Sequence, residues 1–284
     1  MTLSWNNFSL NISSKTYIMG ILNVTPDSFS DGGLHFDKTQ AVEACLRMID
    51  DGADIIDIGG ESTRPGSDPV PFDEELRRTL PVIESLSSRV KVPISIDTYK
   101  ADIARRALDA GASIVNDISG MMYDPEMPAV IARHSVPVVI MHIKGSPKNM
   151  QKNPFYDALI PEILEYFRSR IVFAVKAGIP EDRIILDPGI GFGKTFDHNL
   201  EILHNLHKFT TLGRPVLIGP SRKAFIGKIL DDAPATDRIE GTAAAVAISI
   251  MQGANIVRVH DVKEMAKVAK VADAIKRERV TSPY

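Results

Sequence analysis

The sequence predicts an α/β protein, a single closed (β/α)8 barrel with a short N-terminal strand or hairpin added in front. Three observations predict it. Short runs rich in Ile and Val recur eight times along the chain. An amphipathic helical pattern fills most of the intervals between them. The length, 284 residues, is one at which a single barrel domain is routine. The runs are Tyr17 to Leu22, Asp54 to Gly59, Val92 to Ile96, Ser113 to Asn116, Pro137 to Met141, Arg183 to Asp187, Pro215 to Gly219 and Asn255 to Val259. They are apolar almost throughout, as strands buried on both faces should be. An open doubly wound sheet is the alternative. It usually carries a glycine-rich dinucleotide turn early in the chain, and none occurs here.

The helices between the runs have readable ends. Asp37 can cap the first, with Gln40 at the third helical position. Ala41, Cys45, Met48 and Ile49 then share one face. Asp124 followed by Pro125 reads as a cap with proline at the first helical position. The segments DAGAS (109–113) and KAGIP (176–180) place a glycine just past a helix, where a left-handed cap is needed. The first residues, WNNFSLNI, read as the extra strand or hairpin, placed to cover the bottom of the barrel. The last helix, VKEMAKVAKVADAIKRE, has an apolar stripe that serves either the core or a partner. No linker or shift of composition divides the chain, so it reads as one domain over 1–284.

Bulk properties exclude several functions. Hydrophobic residues make up 44% and charged residues 24%, ordinary for a globular enzyme. A formal net charge of −3 gives no field that would gather nucleic acid or an anionic membrane. No apolar stretch approaches the ~18 residues of a membrane span. With Cys45 as its one cysteine the chain forms no internal disulfide. That fits a reducing, cytoplasmic setting. Cys45 lies on an apolar helix face and reads as a small buried side chain. The N-terminus shows no basic segment followed by an apolar run.

Barrel active sites sit at the C-terminal ends of the strands. Here those ends carry Asn23; Glu61, Ser62, Thr63 and Arg64; Asp97; Asn116 and Asp117; His142; Asp187; Ser221, Arg222 and Lys223; and Arg258 with His260. Any one of these could be a helix cap or a solvated loop residue. Polar side chains at one end of nearly every strand are another matter, since burying them is costly unless they are paired. Asp97, Asn116 and Asp187 can match a flat heterocycle with several N–H donors and a carbonyl. Arg258, His260 and Asn23 suit an anionic phosphate and its Mg²⁺. His204 and His207, three apart on an expected helix, read as a solvated face rather than a zinc site. No nucleophile elbow is present. The segment GFGKT (191–195) is not a Walker loop, because the required first glycine is Pro188. It reads as a turn that lets backbone pass close to a ligand on Asp187.

One feature needs more than a fold. The stretch ILNVTPDSFSDGG (21–33) begins as a strand and empties into a long polar loop with a lone Phe29. Loops that only turn the chain have a median of about 4–6 residues.

The motifs GILNVTPDSFSDGG (20–33), DIGGESTRPG (57–66), SIDT (95–98), NDISG (116–120), MHIKGSP (141–147), LDPGIGFGK (186–194), GPSRK (219–223) and RVHDV (258–262) resemble those of the dihydropteroate synthase family of folate biosynthesis. The resemblance covers the chain from Ile18 to the last helix. It implies a transferase that joins p-aminobenzoate to 6-hydroxymethyl-7,8-dihydropterin diphosphate, giving 7,8-dihydropteroate and diphosphate, with Mg²⁺ as cofactor. By motif, Asp97, Asn116, Met141, Asp187, Phe192, Gly219 and Lys223 resemble the pterin site. Asn23, Thr63, Arg64, Arg258 and His260 resemble the diphosphate site, with Asn23 as the metal ligand. Phe29, Thr63, Arg64, Pro65 and Ser221 resemble the p-aminobenzoate side, where sulfonamides compete in this family. Asp97, Lys223, Arg258 and His260 are the implied catalytic groups, acting through a loose, dissociative C–O cleavage. The loops Val24 to Asp37 and Gly60 to Phe72 would be lids, which gives Phe29 a role as a pocket wall. The family is commonly a homodimer. A methyltetrahydrofolate-binding methyltransferase barrel is the nearest alternative, but it needs neither a diphosphate site nor the PDSFSDGG lid. A barrel that binds pterin without catalysis would have lost Asn23, Arg258 or the lid motifs.

Overall fold

The computed structural model describes residues 1–25 and 38–278. Eight parallel strands form the barrel wall: β3 (Tyr17–Asn23), β4 (Ile55–Gly59), β5 (Ile94–Asp97), β6 (Ile114–Asp117), β7 (Val138–Met141), β8 (Ile184–Asp187), β9 (Leu217–Ile218) and β10 (Ile256–Val259). Each of β3 to β7 pairs with the next, β10 pairs with both β3 and β9, and a single bridge, Leu186 to Val216, closes the ring between β8 and β9. The strand residues are almost all buried, which is why the runs show no polar alternation.

Ten helices surround or cap the wall among the described residues: α1 (Lys38–Asp50), α2 (Phe72–Ser87), α3 (Ala101–Asp109), α4 (Met127–His134), α5 (Leu159–Lys176), α6 (Phe196–His204), α7 (His207–Thr210), α8 (Ala224–Ile229), α9 (Ile239–Met251) and α10 (Val262–Arg277). The expected helix ends hold at Gly111 and Gly178, which follow α3 and α5 with φ of 114° and 92°. Only glycine enters that region without strain. Ala41 and Cys45 of α1 are buried, and Met48 and Ile49 pack beside them. Burial pushes the Cys45 thiol up to about 12, so it is an inert apolar filler.

The N-terminal extension is a hairpin, β1 (Thr2–Trp5) and β2 (Phe8–Asn11), turned at Asn6 with φ 45°. Asn tolerates that conformation better than most residues. Leu3, Trp5 and Leu10 face the core, and β1 lies against the 3₁₀ turn Glu181–Arg183 that leads into β8. The hairpin therefore covers the N-terminal end of the barrel and leaves the other end open to function. On α10, Asp273 accepts from Thr16 N at 2.6 Å and Thr16 Oγ1 at 2.9 Å, fixing the last helix to the entrance of β3. A buried carboxylate satisfied in this way stabilises rather than strains the fold.

Four details depart from the sequence reading. Asp124 does not cap α4, whose N-cap is Glu126; it accepts from Glu126 N and reaches across to Ala101 N, serving the start of α3. His204 and His207 are on different helices, because the chain breaks at Asn205 to Leu206. His207 pairs with Gln252 instead. The seventh barrel strand is only Leu217–Ile218, since Pro220 lacks the N–H that a longer ladder needs. Asp117 faces away from Asn116, as strand alternation requires, and caps the turn at Ser119 and Met121.

Candidate functional site

Parallel register brings the polar strand ends to one level. Asn23 stands beside Gly59, Gly59 beside Asp97, and Asp97 beside Asn116. Gly59 has no side chain, and a Cβ there would lie 3.4 Å from that of Asp97. Two residues below Gly59 on the same face is Asp57, fully buried. Arg258 of β10 donates from Nε to Asp57 Oδ2 at 2.6 Å and from Nη2 to Asp97 Oδ2 at 2.6 Å. Asn116 Nδ2 donates to the same Asp57 oxygen at 3.0 Å. One guanidinium and one carboxylate thus gather β4, β5, β6 and β10 at the mouth. The other oxygen of Asp57, Oδ1, is buried without a hydrogen bond among the described residues.

Asp187 ends β8 and accepts from Gly189 N at 2.7 Å. The loop that follows uses Gly189, Gly191 and Gly193, all with positive φ, to lie close against its neighbours. A Cβ at Gly191 would approach within 3.4 Å of the Lys223 side chain. Lys223, from the β9–α8 loop, has its ammonium 4.3 Å from the centre of the Phe192 ring. Phe192 packs with Met141, Ile118, Ile143 and Met150 into an apolar patch beside these charges. Gly219 follows β9 directly, and a Cβ there would lie 3.8 Å from that of Arg258. Ser221 Oγ and His260 Nδ1 are 3.0 Å apart, and His260 N donates to the same hydroxyl at 3.2 Å.

Burial shifts the charges here. It raises Asp97 and Asp187 above the usual carboxylate range, against the pull of Arg258 on the first and of Gly189 N, Lys223 and Arg258 on the second. Burial, then the Arg258 charge, lowers Lys223 to about 8, while Asp187 and Asp97 oppose. For Arg258 burial is outweighed by Asp57 and Asp97, which hold it charged. Burial and Arg258 lower His260 to about 3, so it is a neutral imidazole at ordinary pH.

The sequence-predicted groups Asp97, Asn116, Met141, Asp187, Phe192, Gly219, Ser221, Lys223, Arg258 and His260 come together, with Asn23 at the level of Asp97. Arg64 and Pro65 make no side-chain hydrogen bond to this cluster among the described residues. They stand exposed on the loop after β4, with Thr63 half-buried next to them. That loop is pinned elsewhere, by Gly66 N to Pro147 O at 2.9 Å and by Lys148 to Asp68 at 2.8 Å. Glu61 turns inward at its base, to Lys100, Tyr99 and Val70 N, and so is a structural anchor. Arg222 is tied to Asp261. Phe29 and the expected lid and cap from 26 to 37 lie outside the described residues. Asp57 and Lys194 were not among the predicted site residues. A carboxylate inside the apolar run DIIDIG was the available signal for the first.

Flat apolar surface, N–H acceptors and cations converging at a barrel mouth define an enzyme that holds a polar heterocycle next to an anion. The sequence profile of the family described as pterin binding enzyme matches residues 19–260. Dihydropteroate synthase from Synechocystis is 51% identical over 263 residues, 93% of this chain and 91% of that protein. A crystal structure of Yersinia pestis dihydropteroate synthase in a sulfonamide drug complex superposes with TM-score 0.92 at 43% identity, covering 98% of this chain and 100% of that one. Xanthomonas albilineans dihydropteroate synthase in complex with 7,8-dihydropteroate gives TM-score 0.88 at 38% identity, with 97% and 99% covered. The chain belongs to the pterin-binding enzyme family, in its dihydropteroate synthase branch.

Proposed function

We propose that the chain condenses 6-hydroxymethyl-7,8-dihydropterin diphosphate with p-aminobenzoate, releasing diphosphate. The observation that carries this reading is the meeting of Asp187, Asn116 and Lys223 with the Arg258–Asp97 pair at one mouth. Asp187 and Asn116 accept and orient the N–H edge of the pterin, Lys223 donates to its carbonyl side, and Met141 with Phe192 covers a face. The C–O bond breaks and its electron pair departs with diphosphate, the amine lone pair of aminobenzoate then forms the new C–N bond at that carbon, and the nitrogen loses a proton. Arg258 and neutral His260 stabilise the charge gathering on the leaving group. Asp97 beside the pterin favours developing positive charge, which supports a loose, dissociative path. Thr63, Arg64, Pro65, Ser221 and Phe29 are assigned to aminobenzoate and diphosphate by the same reading.

Mg²⁺ belongs to this proposal. Among the described residues no three His, Cys, Asp or Glu side chains cluster to hold a metal. Asn23 offers an amide oxygen at the rim, and a hard ion with one such ligand would be completed by diphosphate oxygens, a mode Mg²⁺ prefers. When bound it would neutralise leaving-group charge.

A homodimer fits the exposed apolar residues of two adjacent helices: Ile248 (52%) and Met251 (51%) on α9, Val271 (61%) and Ile275 (64%) on α10. So α10 serves the core on one face, through Met265 and Ala269, and leaves a second face free for a copy of the chain. Light scattering of wild type and Val271→Asp tests this. A wild-type monomer would remove it. Among the described residues no helix is long and apolar enough to cross a membrane. A cytoplasmic location is part of the proposal.

The deciding experiment measures diphosphate release with each substrate alone and with both. Release that needs both supports the synthase. Pterin binding without release identifies a binding barrel, and methyl transfer from a folate identifies the methyltransferase alternative.

A further inference from the structure

The LDPGIGFGK segment ends in Lys194, which the reaction proposed above does not use. Its side chain is buried, with the residue 2% exposed. A buried lysine is ordinarily matched by a carboxylate. Here the three hydrogen-bond acceptors of the ammonium are neutral: His142 O at 3.0 Å, Phe192 O at 3.0 Å and His142 Nδ1 at 2.9 Å. An ammonium has three donors and no lone pair, so it donates in all three bonds. His142 must then be neutral, with its proton on Nε2. Burial and the Lys194 charge both hold it so, at about 2. The position is also unfavourable for a cation by fold alone. Lys194 immediately precedes Thr195, the N-cap of α6, where the helix dipole repels positive charge.

The three acceptors are informative. Two belong to His142, the residue after β7, and one to Phe192, in the β8–α6 loop. The same loop leaves Asp187 two residues before Gly189, whose Cβ, if present, would overlap the His142 carbonyl. Tyr156 holds Gly193 O at 2.8 Å, and Asn199 and Gln151 hold Gly191 N and O at 2.7 and 2.6 Å. Neutral side chains therefore suffice at Gly191 and Gly193. The Lys194 ammonium instead grips the carbonyl of Phe192, whose ring underlies Lys223. Burial lowers Lys194 to about 7, with the Asp187 charge opposing it.

We propose that Lys194 is a positioning residue for the pterin site: it staples the β8–α6 loop to the end of β7 and so sets the Phe192 wall. It acts through the Phe192 loop and not by contact with substrate. The inference rests on the pterin reading above. It implies a division of effect. Loss of the staple weakens pterin binding and leaves aminobenzoate recognition, on the far loops, unchanged.

Calorimetry with an unreactive 6-substituted pterin tests it, together with steady-state KM for both substrates. Wild type is measured first, and failure to bind would defeat the pterin reading itself. With wild-type binding established, Lys194→Met is expected to weaken pterin by about 10–100-fold, the range for lost charge-assisted hydrogen bonds, with aminobenzoate KM within about threefold. His142 supplies a second arm that leaves Lys194 in place. His142→Asn keeps an oxygen near the Nδ1 position and should retain wild-type pterin affinity. His142→Leu removes the acceptor and should lose affinity like Lys194→Met. Wild-type affinity in both Lys194→Met and His142→Leu, or equal loss in His142→Asn and His142→Leu, would overturn the staple. If Lys194→Met does not fold, the two His142 variants decide alone.

Discussion

Arg258 and Asp57, separated by 201 residues, share a hydrogen bond of 2.6 Å that joins β10 to β4, the two strands flanking β3. Asp57 has no exposure, and the same oxygen receives Asn116. The carboxylate thus aims both an anion-binding arginine and a pterin-binding amide. Asp57→Asn should lower stability by about 1.5–3 kcal/mol, the worth of a hydrogen bond to a charged group. It should lower kcat/KM by more than about tenfold, because Arg258 would pivot toward Asp97 alone. Thermal melts and steady-state rates check this. Full activity in a destabilised variant would restrict Asp57 to folding.

Asp187 is predicted to be the main pterin anchor. Its carboxylate lies at the mouth, where Gly189 N is its one hydrogen-bond donor among the described residues. Each bond from an N–H to a carboxylate is worth about 1.5–3 kcal/mol. Asp187→Ala should therefore abolish useful pterin affinity by calorimetry. Wild-type affinity would refute the assignment.

Asn23 sits at the rim of β3, level with Asp97 through Gly59. Activity should require Mg²⁺, and Asn23→Ala should shift the metal concentration for half-maximal rate upward by about tenfold or more, as loss of a coordinating oxygen demands. The measurement is a Mg²⁺ titration of wild type and variant. Undiminished activity in excess chelator would reject the metal.

His142 should make the fold sensitive to acid. Its pKa is lowered from 6.5 to about 2, so between those values the unfolded chain binds a proton that the folded chain does not. Stability contributed by this group is present above about pH 6.5 and is lost as pH falls, by up to ~1.4 kcal/mol per unit. Asp117, raised by burial to about 6, works in the opposite direction over an overlapping window, gaining stability as pH falls. The difference between wild type and His142→Asn isolates the histidine. Chemical denaturation at pH 7 and pH 5 should show wild type losing ground to the variant. A constant difference would contradict the neutral-histidine assignment.

Much of the site was legible because a parallel barrel maps sequence order onto place: the residue ending each apolar run arrives at the mouth. Asp97, Asn116, Asp187, Arg258 and His260 were found by that rule. Asp57 escaped it because it lies inside its run, and the partners that make its burial tolerable come from β6 and β10. Lys194 was read only against a phosphate-loop pattern, and rejecting that pattern left it without a role. Asp124 shows a different limit. A cap pattern fixes which residue can accept N–H bonds, while the neighbouring helix decides which N–H it receives. Arg64 and Pro65 follow a motif whose local structure is a loop, where no strand periodicity determines position.

The barrel closes between β8 and β9 through one bridge, beside a strand of two residues. That makes this juncture the natural seam of the ring, the place where hydrogen exchange should breach the wall first. Asp187 stands on one side of the seam and Lys223 on the other. A pterin held by both would act as a clasp across it. Deuterium uptake at 215–219 should therefore slow when an unreactive pterin binds, while uptake along β4 and β5 stays as it was. Substrate recognition would then also complete the architecture, with the ligand standing in for the backbone hydrogen bonds that β9 is too short to provide.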